Sequence, residues 1–224
     1  MKTGIFGGAF DPIHNGHIRL AVCAAREYSL DRLILLPTGI PPHKAALSAL
    51  REHRVKLLEI ARDLMQRELD IPIIIDEREL DSKEINYTYV TLAGFHRDFS
   101  EDEFYFIMGG DSIEYFKNWV KPEVIATQAV ILAGRRKEID EARIQSLIAE
   151  YALTLNADIR LVGSPETDIS STELRNMLKE LPYGRFESYE AMKESSFYSV
   201  IPDALHDYLS EKSLKYIYEN NMYR

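Results

Sequence analysis

The chain has 224 residues, 46% hydrophobic and 28% charged, the composition of an ordinary globular protein with one sizeable core and at most two domains. A formal charge of −9, with only short basic clusters such as Arg135-Arg136-Lys137, argues against nucleic acid as a partner and favours small phosphorylated ligands held by local cations. No run approaches about 18 uninterrupted apolar residues, so no membrane span is expected, and the single cysteine excludes an internal disulfide framework and suits a reducing cytoplasm.

In chain order, Met1-Lys2 lead straight into a strand-like run, Thr3–Phe6, so no secretory signal is expected. Paired glycines and Asp11-Pro12 then turn the chain into a helix over about His17–Tyr28. Cys23 lies there among Ala21, Val22, Ala24 and Ala25, and is expected to be a buried small side chain rather than a nucleophile. Further apolar runs follow at Arg32–Leu36, Ile71–Ile75, Phe104–Met108, Ala129–Ala133 and Ile159–Val162. Most are continuous rather than alternating, as in strands covered on both faces. Between them the periodicity predicts helices over Ser48–Glu68, Tyr87–Arg97, Ile139–Leu153 and Ser171–Leu181, the first with an apolar stripe of Leu50, Leu57, Ala61, Leu64 and Met65. Alternating strands and helices imply right-handed crossovers and a doubly wound parallel α/β sheet, with ligands beyond the carboxyl ends of its strands. Residues 182–201 read as irregular; two short helices, Asp203–Leu209 and Glu211–Asn220, complete a small appendage. The chain is thus expected to be one domain, with an α/β core over 1–181 and an extension over 182–224 packed on it.

Two constellations carry chemistry. In the first, Gly7-Gly8 let the backbone approach a ligand, and the helix start beyond Asp11-Pro12 offers free N–H groups and a positive dipole end suited to phosphate. His14 and His17, one turn apart, would point toward that phosphate. The plain alternative is a simple turn, or zinc on the paired histidines, but a third ligand would have to be Asp11 or His43, neither at a familiar spacing. The second constellation is Asp168-Ile169-Ser170-Ser171-Thr172-Glu173-Leu174-Arg175. Ser170 and Glu173 match a capping box, which explains a well-started helix and nothing more. Ser171, Thr172 and Arg175 add hydroxyls and a guanidinium at the same helix end, a combination that suits a polyphosphate.

Gly7 to Asp11-Pro12, His14-Asn15-Gly16-His17 and Ile169 to Arg175 together resemble the nucleotidyltransferase superfamily, whose fold is Rossmann-like. Pro41-Pro42-His43-Lys44, Asn86-Tyr87-Thr88, and Phe106 to Ser112 with Trp119 narrow the resemblance to bacterial nicotinate-nucleotide adenylyltransferases. It spans roughly residues 1–180, and Val200-Ile201-Pro202 onward resembles that family's closing segment.

The resemblance implies ATP and nicotinic acid mononucleotide as substrates, and nicotinic acid adenine dinucleotide and pyrophosphate as products. It assigns catalytic roles to His14, His17, Lys44 and Arg175. ATP would be held by His17, Ser171, Thr172 and Arg175 at its phosphates, by backbone groups at Gly7, Gly8 and Phe10, and by Gly109 and Asp111 at the ribose. Lys44, Tyr87, Thr88, Trp119 and Arg135 would bind the mononucleotide, with Trp119 on the pyridine ring, Thr88 near its carboxylate and Arg135 reaching a phosphate. Read on their own, Trp119 could equally be core, Tyr87-Thr88 a plain helix start and Arg135 solvated surface. Mg2+ would enter with ATP, without a protein metal cage. A homo-oligomer is compatible with the resemblance. Ala9 stands where the family commonly has Ser or Thr, Gly110 where it has a larger side chain, and the stretch around Glu187–Glu190 is longer than usual. Pantetheine-phosphate adenylyltransferase, another superfamily member, and a non-catalytic nucleotide sensor on the same fold are the competing readings.

Overall fold

The computed structural model describes residues 1–40, 47–135, 140–165 and 169–224. Each apolar run becomes a strand: β1 (Lys2–Gly8), β2 (Arg32–Pro37), β3 (Ile73–Ile75), β4 (Glu103–Met108), β5 (Val130–Ala133) and β6 (Ile159–Leu161). All neighbours pair in parallel, in the order β3-β2-β1-β4-β5-β6. Strands central to such a sheet must bury both faces, which is why their sequences do not alternate. Within β4, Phe104, Phe106 and Met108 enter one core while Tyr105 and Ile107 enter the other; β2 divides Ile34 and Leu36 from Leu33 and Leu35 in the same way.

The helices sort by the direction of their crossovers. Helices α1 (Asn15–Glu27) and α2 (Arg51–Met65) cover one face, and α3 (Thr88–Asp98), α4 (Gly110–Tyr115), α5 (Pro122–Gln128) and α6 (Glu141–Leu155) cover the other. Helix α7 (Ser171–Lys179) returns to the first face, followed by α8 (Tyr189–Lys193), α9 (Asp203–Tyr208) and α10 (Glu211–Glu219). Ser170 accepts from the Glu173 N–H and Glu173 accepts from the Ser170 N–H, so the capping box forms as its spacing indicates.

Several expectations change on contact with the fold. Residues 182–201 are not irregular throughout: Ser188 caps α8, whose Tyr189 and Met192 are fully buried. Two buried residues on a five-residue helix are too few to register as a period. Helices α4 and α5 also escaped the sequence pattern, each being a turn or two long. The stripe on α2 is Arg54, Leu57, Leu58, Ala61 and Met65; Leu50 precedes the helix as its N-cap and is exposed. Cys23 is half-buried rather than buried, and desolvation raises its thiol pKa, so it is not activated.

The appendage is continuous with the core. Tyr189, Met192, Ile201, Leu205, Leu214 and Ile217 are buried in the same cluster as Leu20 of α1 and Leu57 of α2. Each large side chain removed from water there contributes roughly 1.5–3 kcal/mol. A helix face that would otherwise be wet on α1 and α2 is thereby sealed.

One buried carboxyl stands out. Glu79, between β3 and α3, is 6% exposed and accepts from the Thr91 hydroxyl at 2.7 Å. Burial raises its pKa above the ordinary carboxylate value, with the Thr91 and Thr38 hydroxyls opposing. As pH climbs past that ordinary value the unfolded chain ionises first, so folding loses stability until the native carboxyl has also ionised. Glu79→Gln, which keeps an acceptor for Thr91 and cannot ionise, is therefore expected to raise the melting temperature more at pH 8 than at pH 4.5. An equal change at both pH values would contradict this account of the carboxyl.

Candidate active site

The carboxyl end of β1 runs into the turn Gly8-Ala9-Phe10-Asp11. Phe10 adopts a left-handed backbone (φ 47°) and folds its ring into the core, edge-on to Phe6 at 5.2 Å and to His17 at 5.4 Å. A Cβ on Gly8 would lie 3.1 Å from that ring, so the second glycine is set by the packing of Phe10. Arg54 of α2, itself buried, donates from Nη1 to the carbonyls of Ala9 and Thr38, both at 2.8 Å. Its guanidinium thus ties the turn after β1 to the end of β2. Desolvation lowers the Arg54 pKa, with nearby Asp11 opposing.

His14 caps α1 with an extended backbone, and its N–H donates to Nδ1 of His17 at 3.3 Å. With Nδ1 accepting, the neutral His17 ring carries its proton on Nε2 and presents a donor there. The two rings lie against each other, centroids 3.8 Å apart. His14 is buried; His17 is partly open to the cleft.

The two sequence motifs, more than 150 residues apart, meet at this point. Ser171 Oγ donates to the Pro12 carbonyl at 3.0 Å, separated by 159 positions, and Arg175 Nη1 donates to the Asp11 carbonyl at 2.6 Å. Arg175 Nη2 also donates to Thr172 Oγ1 at 3.0 Å. The amino end of α7 is therefore clamped onto the turn after β1, with its hydroxyls and guanidinium beside His17.

Among the described residues the cleft has two halves. A polar cavity of about 500 Å³ is lined by His14, His17, Ser171, Thr172, Arg175 and the Gly109-Gly110 turn after β4. A more apolar cavity of about 490 Å³ is lined by Leu36, Tyr87, Thr88, Phe106, Trp119 and Glu79. Gly7, Gly8, Ala9, Asp111 and Ser112 line both, so the halves join over the ends of β1 and β4. This is where crossovers leave the sheet toward opposite faces, the place where such folds bind ligands.

The structure brings most of the expected residues to this cleft. Gly109 is the N-cap of α4, and a Cβ there would stand 2.6 Å from Asp111 Oδ1, so its glycine leaves that carboxylate free to lie over the turn. Phe10 contributes backbone, its ring being core. Trp119 is half-buried, edge-on to Phe116 at 5.6 Å and to Phe106 at 6.2 Å. Tyr87 precedes α3 without a side-chain cap hydrogen bond; its carbonyl accepts from the Val90 and Thr91 N–H groups, and Tyr87 and Thr88 line the apolar half. Arg135 does not join Tyr87 and Trp119: it lines the polar half, beside Gly134 and Ser164, because β5 ends on the β4 side of the cleft. Lys44 and His43 lie outside the described residues. Among the described residues no group of three His, Cys, Asp or Glu is placed to hold a metal.

Arg54 and Glu79 were not singled out from sequence. Arg54 occupies a position on the buried stripe of α2, four residues before Leu58 and seven before Ala61, and a charge at a core position was the available signal. Glu79 sits in a mixed, aperiodic segment with no comparable mark.

The Cytidylyltransferase-like family matches residues 5–177. A probable nicotinate-nucleotide adenylyltransferase of Lachnoclostridium phytofermentans is 34% identical over 194 residues, 86% of this chain and 94% of the relative. One of the same name from Clostridium botulinum (strain Okra / Type B1) is 32% identical over the full length of both chains. Among solved structures, the Plasmodium falciparum nicotinic acid mononucleotide adenylyltransferase complexed with APC superposes with a TM-score of 0.71 at 20% identity, covering 99% of this chain and 96% of that one. That likeness shows the fold; the full-length matches go further, and the chain belongs to the nicotinate-nucleotide adenylyltransferase family of cytidylyltransferase-like nucleotidyltransferases.

Proposed function

We propose that the protein transfers the adenylyl group of Mg-ATP to the 5′-phosphate of nicotinic acid mononucleotide, giving nicotinic acid adenine dinucleotide and pyrophosphate, a cytoplasmic step of NAD biosynthesis. The observation that carries this reading is the bipartite cleft, polar on one side, apolar and aromatic on the other, joined at Gly7-Gly8. Two nucleotides placed in the two halves meet end to end at the junction. The names of the relatives point to the same pair of substrates.

The acceptor phosphate, with a second pKa of about 6, is mostly a dianion near neutral pH and needs no general base. Its oxygen attacks the α-phosphorus, the bond from that phosphorus to the β-phosphate bridging oxygen breaks, and pyrophosphate departs with the electron pair. The protein's task is to hold two anions in line and to stabilise charge as it moves onto the leaving group. His17, with its proton on Nε2, supplies a donor for the transferring phosphate; His14 holds that ring in register through its backbone N–H. Arg175, Ser171 and Thr172 serve the departing β- and γ-phosphates, and Arg135 a phosphate of the same half. Asp111 takes the adenosine ribose hydroxyls. Lys44, from the segment between Ile40 and Leu47, adds a cation. In the other half Trp119 stacks on the pyridine ring, and Thr88 at the start of α3 receives its carboxylate, a preference for acid over amide that follows from the helix dipole.

The polar half is rich in N–H, hydroxyl and guanidinium donors, with Asp111 as its exposed carboxylate, a set that suits magnesium carried on ATP phosphates and water rather than caged by protein. When bound, the ion offsets phosphate charge. Excess chelator is expected to abolish turnover; full activity in its presence would contradict the Mg-ATP form of the substrate.

Substitutions separate the halves. Trp119→Ala is expected to raise KM for the mononucleotide roughly tenfold or more, since stacking on a base contributes about 1–3 kcal/mol, while KM for ATP changes little. Equal effects on both substrates would remove Trp119 from the ring. His17→Ala is expected to lower kcat by on the order of 10²–10³, the cost of losing one preorganised donor to the reacting phosphate, with little change in mononucleotide KM.

A further inference from the structure

The Asp11 residue, at the edge of the polar cavity, is only 3% exposed, and its carboxylate is taken up by partners within the protein. Oδ2 accepts from the Ser48 N–H at 2.7 Å, and Oδ1 accepts from the Ala49 N–H at 3.1 Å and from the Tyr223 hydroxyl at 2.8 Å. Its backbone carbonyl takes the Arg175 guanidinium. One residue of the turn after β1 thus joins the entry to α2, the helix carrying Arg175, and a tyrosine 212 positions further along the chain.

The segment that delivers Tyr223 is built for the purpose. Beyond α10, Asn221 and Tyr223 both take left-handed backbones (φ 50° and 62°), conformations that cost free energy in non-glycine residues and persist only where the surroundings hold them. The Met222 N–H bonds the Ile217 carbonyl at 3.0 Å, and the Met222 carbonyl accepts from the Tyr183 hydroxyl at 2.6 Å. Tyr223 is itself 9% exposed. Burial and the adjacent Asp11 carboxylate push its hydroxyl far up, so it remains a donor at any working pH.

We infer that Tyr223 is a positioning residue for the nucleotide site: through its hydrogen bond to Asp11 it holds the turn after β1 and the Arg175 guanidinium in the geometry that receives ATP phosphates. A hydroxyl of the appendage thereby sets the affinity of a site it does not touch. Without that donor the buried carboxylate loses one partner of three, and the turn must shift to re-satisfy it. The effect on turnover rests on the adenylyl-transfer reading above; the effect on ATP affinity does not.

The test compares Tyr223→Phe with Tyr218→Phe, which removes a hydroxyl of the same appendage bonded to the Pro182 carbonyl instead. Titration calorimetry with a non-hydrolysable ATP analogue and Mg2+, on protein shown to be folded by its melting transition, is expected to give a Kd about tenfold weaker for Tyr223→Phe and within about twofold of wild type for Tyr218→Phe. In pyrophosphate release, Tyr223→Phe is expected to lower kcat/KM for Mg-ATP while KM for the mononucleotide stays unchanged. In an Asp11→Ala background, where no acceptor is left for the hydroxyl, the Tyr223→Phe change is expected to have no further effect. An unchanged Kd, an equal loss in Tyr218→Phe, or a full additional loss in the Asp11→Ala background would each overturn the inference. Should Tyr223→Phe fail to fold, Asp11→Ala alone must weaken the analogue, and an unchanged Kd there would overturn it as well. If wild type binds ATP yet transfers nothing to the mononucleotide, the functional reading falls while the affinity comparison still decides Tyr223.

Discussion

The crossovers that follow β1 and β4 leave a parallel sheet toward opposite faces, α1 on one side and α4 on the other. No backbone can close the gap between the ends of those two neighbouring strands, and a crevice is forced there by connectivity alone. Among the described residues, those of the candidate site are arranged about that gap. The turn after β1 supplies its floor, the Gly109-Gly110 turn one wall, and the start of α3 the far end of the apolar half. The crevice exists before any ligand does.

A crevice with polar turns at its floor needs those turns held still, and the structure holds them from behind. Arg54 grips the carbonyls of Ala9 and Thr38, Arg175 and Ser171 grip those of Asp11 and Pro12, and Phe10 drives its ring into the core. Backbone carbonyls are thereby consumed by cations and hydroxyls on the protein side, which leaves N–H groups and the His17 ring toward the ligand side. That polarity is what an anion requires. The apolar half is built differently, from the edges of Phe106 and Phe116 against Trp119, with the hydrogen-bonded Glu79 and Thr91 in its lining.

How far the sequence reveals this depends on the range of each interaction. The four central strands were legible because a doubly covered strand must be apolar throughout, the edge strands β3 and β6 as short apolar runs, and the capping box at Ser170 and Glu173 because it is local. The meeting of Asp11-Pro12 with Ser171 and Arg175 was readable as shared phosphate chemistry, although nothing in the spacing shows that one clamps the other. Helix α8 was missed because its two buried side chains carry no period, and Arg54 because a lone charge on an apolar stripe reads as noise until its two carbonyl partners are known. Arg135 lines the polar half, a placement that depends on which side of the gap β5 occupies and that the sequence does not show. Contacts such as Tyr223 with Asp11, 212 positions apart, leave no mark in a single sequence.

The most direct measurement is pyrophosphate release from Mg-ATP with nicotinic acid mononucleotide, nicotinamide mononucleotide and phosphopantetheine supplied side by side. Strong preference for the acid mononucleotide is the expected result, since the start of α3, the positive end of a helix dipole, lines an aromatic-walled cavity. Preference for phosphopantetheine, or release with none of the three from folded protein that binds ATP, would contradict the assignment of the apolar half to a pyridine nucleotide.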